Sequence, residues 1–477
     1  MRDNVDVVVV GAGISGLTAA RRLVETGCSV VVLEANDRVG GRTMNVDVVE
    51  GVITEGGGQW VGPGHNAVLA LIDELGLATF PTYTDGKSIY LRNGKYTLYN
   101  GVVPPLGPFA MLDYAQLQFR LNRMARGVPP AAPWEAPRAG EWDSTTFGHW
   151  IDRHAKTAEA KWLMGVAFSI VLSQDPRSAS LLSVLHLFAT AGGMSGAIEV
   201  KGGAQEARIV GGSARISIAL ADQLPDGVVV LGSPVEKIDQ SREGEVVVQS
   251  RRATVRCRDV IVAMSPGDAQ RIRFTPELPA RRTKLQQGGG SGSMNKLFMV
   301  YDRPFWRDEG LNGQALSDLM MTPFVSDNSP PDGSVGILVT FMLPATAHTT
   351  LKWTDEVLES GDARRDALTR DLVALFGPKA ANPIQYLEKL WTNEPWISGC
   401  VNMLAPGSRS QYADAIVRPV GSVHWAGTEA SLDDHPGYMD GAVRAGERAA
   451  AEVRSVQFVG GPGRTMRLMS AASTSSP

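Results

Sequence analysis

The sequence predicts an α/β protein with a Rossmann-like dinucleotide-binding domain. Three observations predict it. Val5 to Val10 is a nearly continuous β-branched run, the pattern of a strand buried on both faces of a parallel sheet. Gly11-Ala12-Gly13-Ile14-Ser15-Gly16 follows at once as a G-x-G-x-x-G. A helical stretch and a second apolar strand then end on an acid, Glu34.

Each element has a physical reason. The helix is expected from Ser15 to about Thr26, with Leu17, Ala20, Leu23 and Val24 on one face and Gly27 at the C-cap position. Ser29 to Leu33 is the second strand. Gly11 permits the tight turn, Gly13 lets backbone approach a pyrophosphate, and Gly16 lets helix and strand pack closely. The helix N-terminus, where Ser15 lies, offers free N–H groups to phosphates. Glu34, 23 residues after Gly11, is placed to accept hydrogen bonds from a ribose. A carboxylate there repels a 2′-phosphate, so the dinucleotide is NAD or FAD rather than NADP.

Composition narrows the class. The chain has 477 residues, a prior of two to three domains, and 43% are apolar, enough for large cores. Lys plus Arg is 46 against 50 Asp plus Glu, a net charge of −4 that argues against a nucleic-acid partner. Cys28, Cys257 and Cys400 are widely spaced and odd in number, which suggests neither a disulfide framework nor a thiolate metal site. No metal-ligand spacing occurs among the histidines. No run of 18 apolar residues is present, and the N-terminus is not a secretory signal. A soluble, cytoplasmic protein without a membrane partner is expected. A homodimer is expected only as the commonest soluble assembly.

The residues after Glu34 choose between the two dinucleotides. Ala35-Asn36-Asp37-Arg38-Val39-Gly40-Gly41-Arg42 suggests a second loop around the pyrophosphate, and Glu55-Gly56-Gly57-Gly58-Gln59-Trp60 lets backbone come close to something flat or charged. Leu33 to Arg42 matches L-E-A-x-D-R-x-G-G-R at every fixed position, and this arrangement resembles the flavin-containing amine oxidases. Monoamine, polyamine and L-amino acid oxidases belong to that family. A second block, Ala426-Gly427-Thr428-Glu429 with Gly437-Tyr438-Met439-Asp440-Gly441-Ala442-Val443, is similar to the family's closing motif. The resemblance extends to about Val453.

The resemblance implies a Rossmann-like FAD-binding domain of the two-dinucleotide-binding-domain type, built from residues 1–80, 206–290 and 388–455, and an α+β substrate-binding domain from 81–205 and 291–387. Residues 456–477 are expected to be a disordered tail. Helices are expected over Phe109 to Arg126, Leu181 to Ala191 and Arg364 to Phe376, and Ile209 to Ser213 leads into another through about Leu224. Strands are expected at Val228–Leu231, Val235–Asp239, Glu245–Gln249, Val260–Ala263, Lys296–Tyr301 and Gly336–Leu343. Gly288 to Ser293 reads as a flexible connection.

The family pattern also implies contacts. Gly11, Gly13, Ser15, Gly16, Glu34, Ala35, Gly41, Arg42, Gly57, Gly58, Gln59 and Trp60 would hold the flavin dinucleotide. Val235 would lend backbone to the adenine, with plain strand core as the alternative. Gly427, Thr428, Glu429, Gly437, Tyr438, Met439 and Ala442 would close around the flavin. A helix beginning near Tyr438 would aim its N–H groups at the pyrimidine edge, favouring the reduced state.

Lys296 stands alone in an apolar strand, which is costly without a partner. The resemblance assigns it a water against flavin N5 and help in reoxidation by oxygen; the alternative is an ammonium reaching solvent past the strand. Tyr438 would be one wall of an aromatic sandwich guiding the amine. The opposite wall departs from the pattern: Val401 follows Cys400 where the family has a tyrosine. A thioether from Cys400 to the flavin and a free buried thiol both remain open. Trp391 would pack near the flavin, and Gln205 would line the substrate cavity. His435 could be a loop or a cavity residue.

The expected activity is FAD-dependent oxidation of a primary monoamine, with cyclic or secondary amines included, by oxygen to an aldehyde or ketone, ammonia and hydrogen peroxide. A polyamine oxidase is one alternative, which would need acidic residues along the channel. An L-amino acid oxidase would need an arginine, for which Arg92, Arg120 and Arg126 are unplaced candidates. An FAD-dependent desaturase or dehydrogenase is the third.

Overall fold

The computed structural model describes residues 4–292, 294–343, 353–400 and 402–459. Val7–Val10 forms the centre of a five-stranded parallel sheet. It pairs on one side with Val30–Leu33 and on the other with Asp259–Ala263, so Val7 lies between Val30 and Asp259. Val229–Val230 and Val423–Ala426 complete the edges. The sheet therefore gathers strands from three distant stretches of chain. Val7, Val8 and Val9 are fully buried, as a strand covered on both faces requires.

The first helix spans Ile14–Val24 and the closing helix Met439–Val459. They cross at Gly446, where a Cβ would strike the carbonyl oxygen of Ser15. The closing helix takes in residues 456–459, which the sequence reading gave to the tail; the rest of that tail lies outside the described residues.

A second sheet has seven strands. Its order is Gln385–Lys389, Asn295–Tyr301, Gly336–Met342, Phe324–Asp327, Leu311–Ser317, Lys87–Arg92 and Lys95–Tyr99. The last two form a hairpin, which the sequence analysis did not place. Asn295–Tyr301 and Gly336–Met342 are buried along their whole length, because apolar clusters pack on both faces. The helices Pro108–Ala125, Ala158–Leu172 and Leu181–Thr190 share a separate core with Phe147, Phe168 and Phe188.

The glycines near 290 correct the sequence reading. Gly289–Ser291 is a strand paired antiparallel with Asn402–Leu404, not a flexible connection. Gly292 passes so close to Ser173 that a Cβ would lie 2.5 Å from its carbonyl oxygen. Close approach, rather than mobility, explains that glycine. Ser293 lies outside the described residues.

Candidate functional site

One cavity of about 470 Å³ runs from the C-terminal edge of the parallel sheet to the helical core. Every residue expected to touch cofactor or substrate lines it, except Gly16 and Glu429. Those two stand one layer back. A Cβ on Gly16 would strike the Gly11 carbonyl and come within 3.1 Å of the Ala263 side chain, so this glycine serves helix–strand packing. Glu429 pairs with Arg42 from behind.

The dinucleotide end is built from backbone. Gly11 has φ +103°, and a Cβ there would lie 2.9 Å from the Ala263 carbonyl. Gly13 faces open space, with nothing nearer than the Gly40 carbonyl at 3.9 Å. It caps the first helix without a side-chain hydrogen bond, which leaves the helix N-terminal N–H groups to a ligand. The buried Glu34 accepts from Ala12 N at 2.7 Å with Oε2 and from Asn36 N at 2.8 Å with Oε1. Oε1 also accepts from Asn36 Nδ2 at 3.2 Å, so the lone pair left for a ribose hydroxyl is on Oε2. Ser15 Oγ accepts from Gly427 N at 2.9 Å, joining the opening and closing motifs. These features fit a flavin dinucleotide.

The loop that carries Cys400 is held at three points. Its N–H donates to Gly292 O at 2.7 Å, Arg42 Nη1 donates to its carbonyl at 2.7 Å, and Ser398 N donates to Asp268 Oδ1 at 3.1 Å. Trp391 is buried, with Nε1 donating to Gly56 O at 2.8 Å. Val401 lies outside the described residues.

Lys296 is buried, so its ammonium does not reach solvent past the strand. Nζ donates to Glu55 O at 3.0 Å, to Gly57 O at 2.6 Å and to Gln59 Oε1. Burial pushes its pKa down to about 7 against the charge of Glu55. Sequence reasoning missed what surrounds it. Glu55 and Arg208 form a buried ion pair at 2.5 Å, and Asn328 bridges Gln59 and Glu55. Glu55 stands at the head of the glycine run, but nothing in the sequence joined it to Arg208 or Asn328.

Tyr438 lines the cavity with its ring, and burial raises its pKa to about 12, so it stays a phenol. Behind it His65 lies 5.0 Å and His435 5.8 Å away between ring centroids. His435 is thus a buried support residue, outside the cavity lining and at φ +44°. Burial lowers the pKa of His65 to about 4, so its ring is neutral.

Gln205 reaches the substrate end. Nε2 donates to Ala197 O at 3.1 Å, while Oε1 is buried with no partner. Around it lie Tyr99, Val103, Tyr114, Leu163, Ile170 and Ile198. The acids on the lining are Glu34 and Asp268, and the arginines Arg42 and Arg271, all in the dinucleotide half. Arg92 instead covers the Trp162 ring at 4.4 Å, and Arg120 and Arg126 are exposed. None of the three candidates for a carboxylate clamp lines the cavity. Among the described residues, no cluster suited to a metal occurs, and no helix is long and apolar enough to cross a membrane.

Residues 14–454 match the family model of flavin-containing amine oxidoreductases. AofH of Mycobacterium tuberculosis, which bears a flavin-containing monoamine oxidase name, is 39% identical over 95% of this chain and 97% of its own. The flavin-containing amine oxidase A of Bos taurus is 36% identical over 94% of this chain and 84% of its own. Among solved structures, cyclohexylamine oxidase from Brevibacterium oxydans superposes with a TM-score of 0.88 at 33% identity, covering 95% of this chain and 99% of that one. Putrescine oxidase bound to putrescine gives 0.87 at 32% identity with the same coverage.

Proposed function

The chain belongs to the flavin-containing amine oxidoreductases and is an FAD-dependent amine oxidase; on that premise we propose that its substrate is a bulky or cyclic monoamine and its electron acceptor is oxygen. One observation carries the reading: the substrate half of the cavity is lined mainly by apolar and aromatic side chains with a few uncharged polar ones such as Gln205, and neither a carboxylate nor an arginine is on it. A diamine would bury a second ammonium there without a counter-charge, which is costly. An amino acid would bury its carboxylate unpaired. Cyclohexylamine, the substrate named for one structural neighbour, brings neither burden.

Held by Gly11, Gly13, Glu34 and Arg42, FAD would supply the hydride acceptor for the carbon next to nitrogen and the route for its electrons to oxygen. The chain supplies position and field. Tyr438 walls one side of the amine, and the free Gln205 oxygen accepts its N–H. No side chain on the substrate half serves as a base, so the amine must arrive neutral. Lys296 holds a proton beside the site of oxygen reduction. The first turn of the closing helix, from Met439, favours charge on the reduced cofactor. We assign FAD to the parts 1–80, 206–290 and 388–455 and substrate to 81–205 and 291–387. A cytoplasmic location and a homodimer complete the reading.

Anaerobic absorption spectra test it, with benzylamine, cyclohexylamine and putrescine added in turn. The two monoamines should bleach the yellow form, and putrescine should do so at least about tenfold more slowly, the cost of leaving one charge unpaired. Fastest bleaching by putrescine would overturn the monoamine assignment. Acid precipitation of the same sample decides the state of Cys400: colour in the pellet means a thioether, colour in the supernatant a free thiol.

A further inference from the structure

The three N–H donors of Lys296 are all engaged, by the Glu55 and Gly57 carbonyls and by Gln59 Oε1. Two of these acceptors are backbone and cannot be tuned by sequence. The third is a side chain whose direction is fixed. Gln59 Nε2 donates to Asn328 Oδ1 at 2.7 Å, which turns the Gln59 oxygen toward Lys296. Asn328 Nδ2 donates in turn to Thr54 Oγ1 at 2.6 Å and to Glu55 Oε2 at 3.3 Å. The Glu55 carboxylate is held by Arg208 Nη2 at 2.5 Å and Nε at 3.3 Å. A carboxylate only accepts and an ammonium only donates, so the charged ends assign both amide orientations between them.

We propose that Gln59, oriented by Asn328, is a positioning residue that aims Lys296 into the cavity and sets its proton affinity; the consequence for catalysis rests on the role given to Lys296 above. The charged and titratable groups around the ammonium are few. Glu55 and Arg208 face it as a mutually neutralising pair, and Cys400 approaches from its loop. Lys389 is its cross-strand partner and is itself tied to Glu394. The Trp60 and Phe341 rings each lie 5.7 Å away. Burial drives Lys296 toward the neutral amine, whose lone pair would then face a carbonyl oxygen. The Gln59 oxygen opposes this by stabilising the third N–H.

The test is a lysine 13Cε NMR titration of the full chain, with the Lys296 signal assigned by its loss in Lys296→Met. Gln59→Leu should lower the midpoint and Gln59→Glu should raise it, each by about one pH unit, a tenfold change in proton affinity. Asn328→Leu should lower it by less, because the Gln59 amide is then free to turn. Should Gln59→Leu fail to fold, the Gln59→Glu and Asn328→Leu shifts carry the same test. An unchanged midpoint in folded Gln59 variants overturns the assignment. Stopped-flow reoxidation of the reduced holoenzyme is a separate readout, and its pH limb should follow the NMR midpoint. A midpoint that moves while the limb stays would sustain the role of Gln59 and refute the oxygen role of Lys296.

Discussion

Arg42 grips both oxygens of Glu429, Nη1 to Oε1 at 2.6 Å and Nη2 to Oε2 at 3.0 Å. The pair fastens the loop after Glu34 to the turn that ends the last strand of the parallel sheet. Burial works against the guanidinium charge, and Glu429 outweighs it, so the Arg42 pKa is raised.

Removing the carboxylate leaves Arg42 with one carbonyl partner in a protein environment. Glu429→Ala should therefore destabilise the apoprotein by about 1–2 kcal/mol, less than for a fully buried pair because Arg42 lines the cavity. Urea unfolding measures it. FAD affinity should fall alongside, because Arg42 also holds the Cys400 carbonyl.

Gln205 separates stability from activity in two assays. Its Oε1 is a buried acceptor without a partner. Gln205→Leu should leave apoprotein stability within about 1 kcal/mol, since the unsatisfied oxygen goes but the Nε2 bond to Ala197 O is lost with it. The same change should lower kcat/KM about tenfold for cyclohexylamine, which loses an acceptor for its N–H. A stable variant with unchanged kcat/KM would remove Gln205 from the substrate contacts.

For Tyr438 the ring matters and the hydroxyl does not. Tyr438→Phe should keep kcat/KM within about threefold, and Tyr438→Leu should cost about tenfold, the scale of a lost aromatic contact. Steady-state rates with benzylamine distinguish the two. An equal loss in both variants would mean that the phenol acts chemically.

His424 couples stability to pH. It is buried between Asp259, 3.7 Å from Nε2, and Glu452, 3.2 Å from Nδ1. Burial lowers its pKa, but the two carboxylates prevail and the net shift is upward. A raised folded pKa means that the folded state holds the proton more tightly. The stabilisation is complete below the unfolded value near 6.5 and fades as pH rises through the folded one. Thermal unfolding from pH 5 to 9 should show this loss, and His424→Gln should flatten it.

Much of this was legible from local signals. Val5–Val10, the three glycines and Glu34 lie close together in sequence, and their order is enough to define the first turn of the nucleotide site. Helix limits such as Ile14–Val24 and Leu181–Thr190 fell within two residues of the periodicity. What escaped was the pairing of distant residues. Arg208 and Asn328 are ordinary polar residues until the fold brings them to Glu55 and Gln59. The glycines at 289–292 misled because a sequence cannot separate a glycine that moves from one that must let another backbone pass. The hairpin Lys87–Tyr99 was hidden because it completes a sheet whose other strands begin only at Asn295.

The three-part origin of the parallel sheet also bears on how the protein is made. Its central strand emerges from the ribosome first, yet one neighbour, Asp259–Ala263, and the edge strand Val423–Ala426 come far later. Until then the valines of Val7–Val10 have only Val30–Leu33 to cover one edge. A nascent chain stalled before residue 423 also lacks Gly427, the donor to Ser15. Stable capture of FAD should thus be a late, post-translational event, and the half-made chain a natural client for chaperones.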